Sequence, residues 1–360
     1  MLTIVIPNRN RNLDTVRRTL GSIAPQLDDQ VEVVVIDYGS ERDYQLQLKE
    51  MISQWKHMEL ISCPTQEQLW QKTRAINIVL KKCKTPFFMV ADMDMLFHPA
   101  FTKKVRSQAK EGQATYFQVG VMTQKESLLV KPFADYEIKF LTDKKATGMT
   151  LLPTDLLKEI GGFDEFYHGW GSEDTDVHVR LNNKGVPVHF YEEEALLLHQ
   201  WHPKFYRSKK STAPFHDSLE RINQGYLSLS RKHKRIQANK KHDWGVLPNA
   251  FKYQALSSPS AKVNCYSTKE ALTALYFQMG EGLFSGVVEV KITEHPDAHT
   301  PKTKLKLALG KKTPLFIDLE VANRNLLEHI IAEHRVAPYR YRYDRQEKVI
   351  DLSIHLGTSV

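Results

Sequence analysis

The chain has 360 residues, 41% of them hydrophobic and 26% charged, with a formal net charge of +8. That length supports two domains, or one large domain with an appendage, and the composition excludes wholesale disorder. No run approaches the roughly 18 apolar residues of a membrane span, and Cys63, Cys83 and Cys265 are too few and too scattered for a disulfide framework or a cysteine metal cluster.

The opening MLTIVIPN is uncharged and too short for a signal peptide, and it reads as the first strand of the fold. From there to about residue 95, apolar strands alternate with amphipathic helices: LTIVIP, a helix near 13–24, VEVVVID, a helix near 41–55, MELISC, a helix over 66–82, then FFMVAD. Such near-continuous Val and Ile runs belong to parallel strands buried on both faces, so the pattern predicts an α/β doubly wound sheet. Ligands of these sheets sit beyond the carboxyl ends of the strands, which here read Pro7-Asn8-Arg9, Asp37-Tyr38-Gly39-Ser40 and Asp92-Met93-Asp94. A strand over 115–121 follows, then GMTLLP and a short helix opened by Pro153-Thr154 and closed by Gly161-Gly162. A second helix runs from an N-cap at Ser172 to Lys184-Gly185, and strands VPVHFY and ALLLHQW complete a first domain over 1–205.

Residues 206–254 read as a basic helical and loop connector. Between Lys204 and Lys241, eleven Lys or Arg stand against two acids, Asp217 and Glu220. The charge fits a solvated basic face, or contact with phosphates, an anionic glycan or a membrane surface. Residues 255–360 predict a small α+β domain with a helix over 268–279, strands GVVEVKI, KLKLAL and LFIDLEV, a helix over 323–334, and strands YRYRYD and KVIDLSIHL. Their alternation implies a sheet with one solvated face, and the region carries no chemical motif.

Four places carry residue types suited to chemistry. VADMDMLF ends a buried strand with two acids, so one carboxylate can turn toward a ligand while the other anchors the turn. Carboxylates and phosphates together hold hard cations such as Mg²⁺ or Mn²⁺, although Asp-x-Asp alone is also an ordinary polar turn. LLLHQWHP adds His199 and His202, and an imidazole beside carboxylate oxygens favours Mn²⁺ over Mg²⁺. Asp37 can accept from a base-ring N–H and Arg74 offers a fork for phosphate, with a strand-end cap and a helix-surface charge as the plainer readings. In FYHGWGSEDTD, Glu173 and Asp174 fall in a first helical turn, where the helix dipole stabilises them and also keeps a general base ionised. Asp176 reads as capping or surface charge.

Taken together, IVIPNRNR, VIDYGS, TRAIN, ADMDMLF, GGFDEFYHGWGSEDTDVHVRL and HQWH occur in the order seen in family-2 inverting glycosyltransferases of the GT-A fold. The GGFDE and GWGSEDTD stretches most resemble the branch containing animal β-1,4-galactosyltransferases and bacterial chondroitin-polymerase-type enzymes. The resemblance covers residues 1 to about 205. It implies a GT-A domain binding a UDP-sugar through Pro7, Arg9, Asp37, Arg74, Asp92, Met93 and Asp94, with the base near Asp37 and the phosphates near Arg74 and a divalent metal. Asp94 and His199 match metal ligands, Asp174 matches the catalytic base, and Glu173 matches the neighbouring acid that contacts acceptor or donor. Two departures stand out: Leu196 occupies the place of a methionine ligand, and SEDTD replaces a more acidic run.

The resemblance implies inverting transfer of a hexose or N-acetylhexosamine to a glycan acceptor, in cell-surface or capsular polysaccharide synthesis. Trp170, Tyr167 and His168 would offer flat surfaces to sugar rings, or equally pack as buried aromatics, and Gly169 and Gly171 would let their loop move over the donor. Competing readings are an Asp-x-Asp phosphotransferase using Asp92, and a non-catalytic protein binding a nucleotide sugar or an anionic polymer through the basic segment. Nucleic acid is not the expected partner. The cysteine content and the basic segment together point to a cytoplasmic protein, peripheral at the inner face of the membrane.

Overall fold

The expected alternation of strand and helix builds the first part of the molecule, and the computed structural model describes residues 1–203 and 218–357. Strand β1 (Leu2–Asn8) is buried along its whole length, as its Ile and Val run predicts. Helix α1 (Leu13–Ile23) follows, with the Asn12 side chain accepting from the amides of Asp14 and Thr15 as its N-cap. Then come β2 (Val31–Tyr38), α2 (Arg42–Ile52), β3 (Met58–Cys63), α3 (Lys72–Lys82) and β4 (Phe87–Val90). The pairs β1·β2, β1·β4 and β2·β3 are all parallel.

Next in the chain are β5 (Met95–Phe97), α4 (Phe101–Ser107), β6 (Ala114–Phe117), β7 (Val119–Val121), α5 (Gln124–Ser127), β8 (Phe140–Leu141), β9 (Thr150–Pro153) and α6 (Thr154–Glu159). Helix α7 (Glu173–Asn183), β10 (Val188–Tyr191), β11 (Leu197–His199) and α8 (Leu219–Lys232) complete this part. The main sheet has the order β10-β6-β9-β4-β1-β2-β3, and a smaller one the order β5-β11-β7-β8. The main sheet is mixed, because β9 runs antiparallel to both β4 and β6. The single strand expected over 115–121 is two strands, one in each sheet. Apolar layers lie on both faces of the main sheet, one including Ile4, Ile6, Leu20 and Val33, the other Val5, Ile36, Ile76 and Leu80.

Two helix starts differ from expectation. The helix expected from residue 66 begins at Lys72, and residues 64–69 belong elsewhere. Ser172 lies in the left-handed region at φ 75° and its side chain makes no capping hydrogen bond.

The described chain divides into two units, residues 1–63, 70–203 and 218–247 in one, and 64–69 with 248–357 in the other. The expected connector therefore splits: 206–217 lie outside the described residues, 218–247 belong to the first unit, and 248–254 to the second. The second unit contains α9 (Ala250–Ala255), β12 (Ala261–Tyr266), α10 (Lys269–Gly280), β13 (Gly286–Thr293), α11 (Pro301–Ala308), α12 (Leu319–Glu333), β14 (Tyr339–Asp344) and β15 (Val349–Leu356). Its sheet has the order β12-β13-β15-β14, with β12 parallel to β13 and the rest antiparallel. The segments KLKLAL and LFIDLEV, expected as strands, supply helix α11 and the start of α12. Two caps override their alternation: the Thr300 side chain accepts from Thr303 N with Pro301 at the first helical position, and the Asp318 side chain accepts from Glu320 N. Residues 64–69 are tied into this unit by Tyr341 N donating to the Glu67 carbonyl at 2.9 Å and Tyr253 Oη to Gln68 Oε1 at 3.1 Å. Among the described residues, no helix is long and apolar enough to cross a membrane.

Candidate active site

The end of β4 and the starts of α3 and α7 bring one group of charges together. Strand β4 stops at Val90 and the chain turns before β5. Because the strand has ended, Asp92 and Asp94 diverge instead of sharing a face. Asp92 Oδ1 lies 3.1 Å from Lys72 Nζ. The same ammonium lies 3.3 Å from Glu173 Oε1 and 3.1 Å from Asp174 Oδ2, in the first turn of α7. One cation, 13% exposed, thus faces three carboxylates.

The electrostatics follow from that imbalance. Burial alone would lower the Lys72 pKa, but Asp174, Asp92 and Glu173 outweigh it and hold the ammonium charged, well above its ordinary value. Asp174 is pushed up to about 7, chiefly by burial, with Glu173 and Asp92 adding to the rise and Lys72 opposing it. A carboxylate poised near neutrality is suited to accept a proton.

Asp94 is buried on the other side of the turn. Its oxygens lie 3.0 Å from Arg11 Nη2, 3.7 Å from His199 Nε2 and 3.3 Å from His202 Nε2. Register explains the histidines: β11 pairs antiparallel with β5 so that His199 opposes Met95, and Gln200 N donates to the Asp94 carbonyl at 2.8 Å. The Gln200 amide donates to Thr19 Oγ1 at 2.9 Å, which fixes the corner between the two imidazoles. Burial would raise the Asp94 pKa, but the hydrogen bond from His202 and the charges of His199 and Arg11 hold it below the usual carboxylate range.

The ligand atoms of Asp94, His199 and His202 all lie within 4.8 Å of one another. Asp94 Oδ1 is buried with no hydrogen-bond partner among the described residues, an oxygen that a cation would satisfy. One carboxylate and two imidazoles form a donor set that first-row transition ions accept readily.

Other expected residues make contacts of their own. Arg74 projects about 200° around α3 from Lys72, and its buried guanidinium donates to the Val246 carbonyl at 3.3 Å. The cation beside the acids is therefore Lys72. Asp37 accepts from Asn8 Nδ2 at 2.8 Å, Gln45 Nε2 at 2.7 Å, Ser40 N at 3.2 Å and Ser40 Oγ. Those bonds fill the roughly four lone-pair sites of a carboxylate, so a base-ring N–H would have to displace one. Pro7 is a buried strand residue opposite Ile36, and Arg9 is half-buried. Met93 is a core residue: its side chain is buried in the apolar layer and its carbonyl accepts from Thr19 Oγ1 at 3.0 Å.

The aromatic loop needs the largest correction. Tyr167 and His168 are buried; the Tyr167 ring packs edge-on against Phe166 and Tyr226, at centroid distances of 5.9 and 5.5 Å. Trp170 is 49% exposed, with Gly171 following at φ 98°. The loop expected to move is tied down: Gly169 N donates to the Trp70 carbonyl at 2.8 Å, and Asn223 Nδ2 of α8 donates to the carbonyls of His168 and Trp170 at 2.9 and 3.2 Å. Asp176 is no surface charge, since it forms a fully buried pair with Arg180 Nε at 2.7 Å. Leu196 is fully buried in the core, and His202 supplies the third donor of the histidine group.

Lys72 and Arg11 escaped the sequence reading. His202 was visible as the second histidine of HQWH but entered no ligand set. Lys72 carries no local signal, because two of its three partners lie 101 and 102 residues away along the chain and the third, Asp92, comes after the end of β4.

Residues 3–156 match the family model described as Glycosyl transferase family 2, and residues 129–202 match that of the N-terminal domain of galactosyltransferase. Chondroitin sulfate synthase 3 of Homo sapiens is 27% identical over 126 residues, covering 32% of this chain and 14% of that one. The Mus musculus protein of the same name is 23% identical over 189 residues, covering 48% and 21%. The chain therefore spans less than a quarter of the length of these relatives. S. aureus TarS 1-349 in complex with UDP-GlcNAc aligns with a TM-score of 0.47 at 16% identity, over 65% of this chain and 69% of that one. S. aureus TarS aligns with a TM-score of 0.46 at 16% identity, over 65% and 41%.

Proposed function

We propose that this chain is a family-2 glycosyltransferase of the GT-A fold, the reading that the family-model match over residues 3–156 supports, and that it moves a hexose or N-acetylhexosamine from a UDP-sugar to a glycan acceptor with inversion. The observation that carries this reading is the convergence of Asp174, Glu173 and Asp92 on the Lys72 ammonium, beside a second group made by Asp94, His199 and His202.

In this mechanism an acceptor hydroxyl attacks the anomeric carbon from the face opposite the diphosphate. The new carbon–oxygen bond forms as the bond to phosphate breaks, the electron pair leaves with the diphosphate, and the hydroxyl proton passes to an Asp174 oxygen. Lys72 keeps part of the Asp174 population ionised and fixes its direction through the 3.1 Å contact. Glu173 and Asp92, on the same ammonium, are placed to accept from sugar hydroxyls. Family-2 enzymes typically use a divalent metal; held by Asp94, His199 and His202, one would offset charge on the departing diphosphate. Mn²⁺ is the favoured ion because two of the three donors are imidazoles. Trp170 is the acceptor-side ring.

Our proposal includes a role in cell-surface or capsular polysaccharide synthesis and a cytoplasmic location. A thermal-shift panel of UDP-sugars, with and without Mn²⁺, identifies the donor: a rise for one sugar that needs the metal is expected. Asp174→Asn should abolish transfer and leave that thermal shift intact. If Asp174→Asn transfers sugar at the wild-type rate, Asp174 is not the base.

A further inference from the structure

We propose that helix α11 and the turn after it form a surface that docks on an anionic lipid bilayer. Residues 298–317 contain five lysines, Lys302, Lys304, Lys306, Lys311 and Lys312, and no Asp or Glu. Among the described residues, no ion pair engages any of the five. Positive charge is therefore concentrated there without local compensation.

The arrangement of the helix is the reverse of an ordinary surface helix, whose outward face is polar. Thr303 is the buried position of α11. At about 100° per residue, the direction opposite Thr303 is taken by Pro301, Leu305, Ala308 and Leu309. Leu305 is 61% exposed and Leu309 60% exposed. Lys304 borders this apolar face on one side, and Lys302 and Lys306 border it on the other. Lys311 and Lys312 follow Gly310, whose φ of 65° turns the chain after the helix.

An apolar face flanked by lysines matches a bilayer boundary: leucines enter the acyl region while ammonium groups meet lipid phosphates. A charged polysaccharide or a nucleic acid would use the lysines but gain nothing from exposed leucines. The apolar face selects lipid among polyanions. The residues of this surface lie outside the basic segment over 204–241 in the sequence, and the proposal does not depend on the transfer reaction.

The test is co-sedimentation of the full chain with vesicles of phosphatidylcholine, alone or with about one third phosphatidylserine. Binding at least about tenfold stronger to the anionic vesicles, released by salt, is expected. Leu305→Ser with Leu309→Ser leaves every lysine in place and should weaken binding about tenfold, with an unchanged melting temperature since both side chains are already exposed. Leu305→Glu with Leu309→Glu should abolish it. Equal binding to neutral and anionic vesicles, or wild-type binding by both double variants, overturns the proposal. So does a wild-type dimer in solution that Leu305→Glu with Leu309→Glu converts to monomer, because the face is then a contact between copies.

Discussion

Lys72 sets the behaviour of the acids around it, and its removal has a defined direction. Asp174 must be ionised to take a proton, and its pKa is raised to about 7. Transfer should therefore fall as the pH drops through about 7, with kcat/KM losing about tenfold per pH unit below it. Lys72 opposes that rise, so Lys72→Met should move the midpoint to higher pH by on the order of one unit and lower the rate at pH 7. A pH–rate profile unchanged by Lys72→Met would remove Lys72 from the mechanism. At the histidine group, His199→Ala and His202→Ala should each abolish the Mn²⁺-dependent part of the thermal shift, and a chelator should do the same to the wild type. Comparable losses in both variants would establish His202 beside His199, the residue that the sequence reading placed with the metal.

Among the elements, the motifs GGFDE and SEDTD prove to be structural as much as chemical. Asn77 of α3 donates to the Phe163 carbonyl at 2.8 Å and accepts from Phe163 N at 2.9 Å. Gly162 sits at φ 66°, and a Cβ there would come within 2.5 Å of Asn77 Oδ1. Gly162→Ala should thus cost roughly 1–3 kcal/mol of stability. Arg180 answers the position left open by the sequence. It pairs with Asp176 and donates to the carbonyls of Ile160 and Gly162, both at 2.7 Å, which closes the carboxyl end of α6 against α7. Arg180→Ala leaves the Asp176 carboxylate buried and alone, so it should cost about 3–5 kcal/mol in urea unfolding. Replacing both charges by apolar residues should recover part of that loss. Periodicity showed where α7 would run, but not that Asp176 faces inward onto a buried arginine.

At the scale of the whole molecule, residues 64–69 leave one unit to join the other, and this gives a prediction about truncation. A chain ending at residue 247 lacks Tyr253, Tyr339 and Tyr341, the partners of Gln68, Leu69 and Glu67. In that chain, residues 64–69 should exchange amide protons faster and become a cleavage site in limited proteolysis, while in the full chain they stay protected. The sequence by itself determined the strand and helix order of roughly the first 90 residues, because Val and Ile runs and helix caps act over a few residues; between there and residue 150 it missed short elements and read two strands as one. It also marked the acids and histidines at the strand ends, through residue type and the rule that ligands gather there. Only the tertiary structure decided that Lys72 and not Arg74 meets the acids, that Tyr167 is core and Trp170 is surface, and that KLKLAL is a helix. Each of these depends on the direction of a side chain or on a partner distant in the chain, and neither periodicity nor composition records such directions.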